Sequence, residues 1–256
     1  MMLCLDVGNS QLYGGVFEGD ELAIQFRRNT GQRGSSDELG LFLRSVLREN
    51  DVDPATIDEI AICSVVPDYV YSLRACCEKY FRVEPLILRP GIRTGLRIRY
   101  KDPKEVGADR IADAVGALHL FPGRNLIVID FGTATTLAAI SRDHDFLGGA
   151  ILPGVRLAME ALEEKTAQLP NVEIVPMEIA LGRTTVESIQ SGLYWSNVGM
   201  VRELTTRLTN EAFPDEKPLV VATGGFSQLF TRAGIFDQLV RELILTGLRE
   251  IVKMNR

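Results

Sequence analysis

The chain has 256 residues, enough for two compact halves of about 125 each or for one large domain. Its apolar share of 46% and charged share of 24% are those of a globular protein in water, and a net charge of −6 argues against a nucleic-acid binder that works by phosphate neutralisation. No apolar run approaches the ~20 residues of a membrane helix, and the N-terminus enters a strand pattern with no charged-then-apolar leader, so a cytoplasmic protein is expected.

Strand patterns open the chain near residues 2–7, 12–18 and 21–27, with Glu18-Gly19-Asp20 as the turn between the last two. A polar Gly/Ser loop follows at 29–36. A helix is expected over about 36–50, with Ser36 as N-cap and a stripe of Leu39, Phe42, Leu43, Val46 and Leu47. A strand lies within 57–66, and Pro67 opens a helix at the first-turn position that proline favours. That helix carries Val70, Leu73, Cys77 and Phe81. Residues 85–88 read as a short strand, and 89–106, rich in Arg, Gly and Pro, as a loop over a site. A helix over about 107–120 ends in a linker around 118–125, where Pro122-Gly123 breaks it. Strands follow near 126–131, 134–141 and 145–152, then a helix after Pro153, an irregular stretch at 169–181 and a long helix over about 184–211. A strand at 218–222, the turn Thr223-Gly224-Gly225 and further helices close the chain. The division expected is 1–120 and 121–256, each half a mixed sheet flanked by helices in an α/β protein.

The second half repeats a phrase of the first. Residues 3–16 read LCLDVGNSQLYGGV and residues 127–140 read IVIDFGTATTLAAI. At an offset of 124, Asp6 falls on Asp130 and Gly8 on Gly132, while Ser10 falls on Ala134 with Thr133 and Thr135 beside it. Each copy reads as strand, tight turn, strand. The glycine lets backbone approach a ligand, and turn amides and hydroxyls can bind phosphate oxygens. An aspartate at a strand end can face a metal ion. A single Asp-x-Gly is an ordinary hairpin turn. Two at a fixed offset indicate two similar halves facing each other across a nucleotide. No Gly-x-x-x-x-Gly-Lys-Ser/Thr is present, which excludes a P-loop.

Four further segments carry polar or glycine signals. Val106-Gly107-Ala108-Asp109-Arg110 opens a helix. Asp109 could simply offset the helix dipole, worth ~0.3–1 kcal/mol, as could Glu105. It could equally be a base, because a carboxylate there stays ionised and the loose transition state of phosphoryl transfer asks for little prior deprotonation. Arg110 would then hold an anionic substrate or the phosphoryl group. Residues 148–154 read GGAILPG at a strand-to-helix junction. Gly182-Arg183-Thr184-Thr185 precedes the long helix, where Thr184 or Thr185 could be a cap. Ala222-Thr223-Gly224-Gly225 follows a buried strand, where a Gly-Gly turn lets backbone approach an adenosine. Cys4, Cys63, Cys76 and Cys77 lack metal-ligand spacing and read as reduced thiols, and His119 and His144 read as structural or solvated. Arg93, Arg97 and Arg99 either meet an anionic ligand or coat their loop.

The ordered set DVGNS, VGADR, DFGTATT, GGAILPG, GRTT and ATGG resembles the type III pantothenate kinases over about residues 2–250. The β-β-β-α-β-α plan of both halves is that of the actin-like kinases, so the resemblance implies duplicated ribonuclease-H-like (actin-like ATPase) domains. It implies ATP-dependent phosphorylation of pantothenate to 4′-phosphopantothenate, the entry step of coenzyme A synthesis. ATP falls on Asp6, Val7, Gly8, Asn9, Ser10, Gln11, Leu12, Tyr13 and Thr133. Pantothenate falls on Tyr100, Gly107, Ala108, Asp109, Arg110 and Thr184, with Asp109 as acceptor of the hydroxyl proton. Asp130 becomes the ligand of a monovalent cation, K⁺ or NH₄⁺, and Asp6 meets the Mg²⁺ of Mg-ATP through water. Ser10, where the family often has threonine, keeps the hydroxyl. A homodimer with the site bordered by both subunits is also implied. Gly192, Ser196 and Gly199, beside Leu193, Trp195 and Met200, would let a helix pack closely against a partner or within the chain. The short chain argues against an actin-like filament, and the intact acidic residues argue against a purely partner-binding relative.

Overall fold

A computed structural model describes residues 1–30, 34–166 and 168–256, so residues 31–33 of the expected loop lie outside the described residues. The elements are β1 (Met2–Val7), β2 (Gln11–Glu18), β3 (Glu21–Asn29), α1 (Ser36–Arg48), β4 (Glu59–Ser64), α2 (Pro67–Cys76), β5 (Leu86–Ile87), β6 (Arg97–Ile98) and α3 (Ala108–Leu120). They continue with β7 (Leu126–Phe131), β8 (Ala134–Ile140), β9 (Asp145–Pro153), α4 (Val155–Lys165), α5 (Thr185–Ala212), β10 (Leu219–Thr223), β11 (Gln238–Leu239) and α6 (Leu243–Met254). Two compact units result, neither continuous in sequence. The first comprises Met1–Leu96, Asp102–His119 and Leu243–Arg256, and the second Arg97–Lys101 and Leu120–Glu242.

The first unit holds a sheet of order β3-β2-β1-β4-β5, with β1 antiparallel to β2 and parallel to β4. Alternation along β1 sends its side chains to opposite faces. Leu3, Leu5 and Val7 pack with Leu39, Leu43 and Leu47 of α1 and Leu73 of α2. Met2 and Cys4 pack with Ala112 and Val115 of α3 and with Leu245, Leu248 and Ile251 of α6. Both faces are covered, which is why β1 reads as an almost unbroken apolar run.

The second unit repeats this plan. Its six strands run β11-β10-β7-β8-β9-β6, so β9-β8-β7-β10-β11 reproduces the first sheet in order and direction. Ile127, Ile129 and Phe131 of β7 pack with Tyr194, Val198 and Val201 of α5. Among the described residues the first sheet has no counterpart of β6.

The structure corrects several local expectations. The N-cap of α1 is Ser35, whose hydroxyl accepts from the Glu38 N–H at 3.2 Å while the Glu38 carboxylate accepts from the Ser35 N–H at 2.7 Å. Only Ser35 has a glutamate three positions on, so only it closes this reciprocal pair. Helix α2 stops at Cys76 and passes into a wide π-type turn, Cys77–Phe81, that keeps both its end residues buried. The 89–106 segment is not all loop, since it contains β6 and a 3₁₀ turn at Pro103–Glu105. Residues Gln238–Leu239 form a strand where helix was expected. Two-residue strands are too short to carry a hydrophobic period. Among the described residues no helix is long and apolar enough to cross a membrane.

Helices α3 and α6 touch through their backbones. A Cβ on Gly116 would overlap the Leu243 carbonyl oxygen, and one on Gly247 would overlap that of Ala112. The two glycines let the helices meet without intervening side chains and so fix α3 beneath the sheet. Gly247→Ala is expected to lower stability by about 3 kcal/mol or more, since only backbone movement can relieve the overlap. Thermal unfolding is the check, and an unchanged Tm would contradict this crossing.

Candidate active site

In the first unit, the alternation that puts Met2 and Cys4 toward α3 also puts Asp6 there. Asp6 and Cys63 are register partners on adjacent parallel strands. Cys63 is fully buried. Burial, then the nearby carboxylates of Asp6, Asp109 and Asp113, push its thiol well above its usual value, and it hydrogen-bonds Asp6. The thiol is thus a neutral donor behind the Asp6 carboxylate. Asp109 and Asp113, one turn apart on α3, bear on the same thiol as Asp6. Among the described residues no three His, Cys, Asp or Glu side chains are placed to hold a metal ion by themselves.

Asp109 lies half-buried in the first turn of α3, where its Oδ1 accepts the Arg110 N–H at 2.8 Å. A Cβ at position 107 would overlap that same oxygen, so glycine at 107 leaves room for the carboxylate. Arg110 is buried beside it.

The first hairpin connects β1 to β2 through residues 8–10, and the Gly8 N–H donates to the Gln11 carbonyl at 2.9 Å. Thr30, which sequence reasoning missed, holds this turn. Its hydroxyl donates to the Asn9 carbonyl at 2.7 Å and the Gly8 carbonyl at 3.2 Å, and its N–H donates to the Ser10 carbonyl at 3.0 Å. Val7 and Leu12 are fully buried in the apolar core, so any contact they offer a ligand runs through the main chain. Tyr13 is buried too, and its hydroxyl donates to Gln25 Oε1 at 2.7 Å. Asn9, Ser10 and Gln11 are exposed and Gly8 partly so.

The second hairpin is one residue shorter. Residues 132–133 connect β7 to β8, and the Gly132 N–H donates to the Ala134 carbonyl at 3.1 Å. Thr133, not Ala134, therefore stands where Ser10 stands in the first hairpin, and the hydroxyl correspondence is restored. Asp130 occupies the position of Asp6 in its sheet. Gly224, with φ of +91°, backs onto it, and a Cβ there would overlap the Asp130 carboxylate. The buried Ser227 hydroxyl fixes that turn by donating to the Gly224 carbonyl at 2.6 Å, a second residue that no sequence pattern announced. The Gly154 N–H donates to the Thr133 carbonyl at 3.1 Å. Helix α4 begins there without a side-chain cap, so its N-terminal amides abut the hairpin and favour an anion.

Tyr100 and Thr184 also belong to the second unit. The Tyr100 ring meets Phe146 edge-on, with centroids 5.8 Å apart. Thr184 is the N-cap of α5, its hydroxyl accepting from the Glu187 N–H at 3.2 Å, and it remains exposed. Arg97 and Arg99 pair with Asp145, while the main chain of Arg93 bonds the Asn255 amide. All four cysteines are buried and free.

A sequence model described as type III pantothenate kinase matches residues 2–207. A protein of Legionella pneumophila (strain Corby) named type III pantothenate kinase is 56% identical over 255 residues, covering 100% of this chain and 99% of its own. One of Francisella tularensis subsp. holarctica (strain OSU18), named type III pantothenate kinase 1, is 45% identical over 256 residues, with both chains covered completely. Solved structures share the fold at low identity. A Campylobacter jejuni protein described as a Baf family transcriptional activator aligns over 99% of this chain and 98% of its own, at TM-score 0.64 and 20% identity. The ROK hexokinase of Thermus thermophilus aligns over 100% and 99%, at TM-score 0.53 and 14% identity. The architecture is thus the duplicated actin-like kinase fold, and with full-length identity to its named members the chain belongs to the type III pantothenate kinase family.

Proposed function

We propose that the chain transfers the γ-phosphoryl group of ATP to the 4′-hydroxyl of pantothenate, giving 4′-phosphopantothenate and ADP, the first step of coenzyme A synthesis in the cytoplasm. The observation that carries this reading is the placing of Asp6 near the end of β1 and of Asp109 in the first turn of α3, within one unit, on a chain of this family. The pantothenate hydroxyl oxygen forms the new bond to the γ-phosphorus, the bond to the β-phosphate oxygen breaks, and ADP leaves. Asp109 accepts the hydroxyl proton as that bond forms. A weak base suffices for a loose transition state. Arg110 balances charge on the substrate side.

ATP phosphates are assigned to Asp6, Gly8, Asn9, Ser10 and Thr133, on two hairpins whose turns are pinned by Thr30 and by Gly154. Asp6 would hold, through water, the Mg²⁺ that accompanies ATP, and that ion offsets phosphate charge. Asp130 is assigned to K⁺ or NH₄⁺, since a carboxylate suits a hard cation. Pantothenate is assigned to Tyr100, Gly107, Ala108, Asp109, Arg110 and Thr184.

We assign a homodimer through α5, with the substrate site bordered by both subunits. Gly192, Ser196 and Gly199 are exposed, and a Cβ on either glycine would meet nothing within 4 Å. Among the described residues, Gly192 and Gly199 thus face open space. Ile179, Leu181 and Val186 are exposed in the same unit.

Asp109→Asn is expected to cut turnover by ~10²-fold or more, with ATP binding retained. Steady-state ADP release is the check, and near-normal turnover would remove Asp109 from its role. Gly192→Arg is expected to halve the mass seen by light scattering. An unchanged dimer mass in a folded variant would exclude α5 from the interface.

A further inference from the structure

The strand that breaks the symmetry of the two sheets leads directly into Tyr100. β6 is two residues long and lies at the edge of its sheet, beside β9. The Arg97 N–H donates to the His144 carbonyl at 2.9 Å and the Arg99 N–H to the Phe146 carbonyl at 2.9 Å. Two such bonds are too few to hold an edge strand in place.

Side chains supply the rest. Oδ1 of Asp145 accepts from Arg97 Nε at 2.9 Å and from Arg99 Nε at 2.7 Å, and its Oδ2 accepts from Arg97 Nη2 at 3.1 Å. Arg97 Nη2 also donates to the Asp143 carbonyl at 2.7 Å. Arg97 and Arg99, two apart on a strand, project to one side, so one carboxylate grips both. The Asp145 side chain is 15% exposed, against 59% and 56% for the arginines, so the shared carboxylate is the shielded member of the cluster. Hydrogen bonds from Arg97 and then Arg99 hold its carboxyl below the usual carboxylate range. The next residue along β9, Phe146, is fully buried and forms the floor on which the Tyr100 ring rests at 62°.

We propose that Asp145 is a positioning residue for pantothenate: by clamping Arg97 and Arg99 it fixes the short strand that presents Tyr100 to the substrate. This rests on the proposed function, in which Tyr100 touches pantothenate. The arginines are then structural arms of the substrate site and make no contact with the substrate themselves.

The test is a double-mutant cycle on the full chain, with initial rates and thermal unfolding for wild type, Asp145→Ala, Tyr100→Ala and the double variant. Asp145→Ala is expected to raise KM for pantothenate about tenfold while kcat and KM for ATP stay within about twofold. In the Tyr100→Ala background the same change is expected to add less than about twofold, because the group it positions is gone. A purely structural loss would instead move all parameters together and add fully in both backgrounds, which would overturn the inference. An unaltered KM in either single variant would overturn it as well. Should Asp145→Ala not fold, Asp145→Asn, which keeps the volume and loses the charge, carries the same comparison. Wild type without pantothenate-dependent ADP release would overturn the proposed function and this inference with it. Normal wild-type activity with an unaltered Asp145 variant would overturn this inference alone.

Discussion

Side-chain alternation along β1 is the constraint on which the chemistry of the first unit depends. Odd positions of the strand feed the core under α1 and α2, and even positions face α3 and α6. Asp6 falls on the even face, so its charge meets Cys63, Asp109 and Asp113 rather than an aliphatic core. A register slip of one residue would bury that carboxylate among Leu39, Leu43 and Leu73. The direct contact of α3 with α6 at Gly116 and Gly247 holds the other side of the cluster, because it leaves α3 no room to slide. Packing and charge placement are therefore one problem here, solved by strand period on one side and by two glycines on the other.

The second unit reuses the same strand order with different connections. Its hairpin is shorter by one residue, and the support differs as well. Thr30 ties down the first turn, whereas the second is pinned by the start of α4 and walled by the Gly224 turn. Asp130 stands among backbone groups, while Asp6 stands among carboxylates and a neutral thiol. Strand β6, which leads into Tyr100, has no counterpart in the first sheet among the described residues. Divergence after duplication is concentrated at strand ends and connections, where a residue can be added without disturbing the core.

Much of this was legible in the residues. The two Asp-x-Gly phrases located both central hairpins, and the apolar runs before them marked β1 and β7. The Asp109 segment was readable because an acid and an arginine open an otherwise apolar helix. What escaped depends on contacts distant in sequence. Thr30 and Ser227 act through hydroxyl bonds to turn carbonyls, and nothing in their neighbourhoods distinguishes them from ordinary surface residues. The Asp145 clamp joins positions almost fifty residues apart, through a strand too short to show a period. The equivalence of Thr133 with Ser10 was hidden by the one-residue difference in turn length, which a constant offset cannot represent.

The most direct test of the central claim is product formation. Wild type and Asp130→Asn would each be given Mg-ATP and pantothenate in K⁺ and then in Na⁺, with 4′-phosphopantothenate followed by mass spectrometry. The account predicts product from wild type in K⁺ and far less in Na⁺, with that difference lost in Asp130→Asn. ATP consumption without phosphopantothenate would contradict the proposed reaction. An ordinary K⁺ response in Asp130→Asn would contradict the division of labour between the two aspartates.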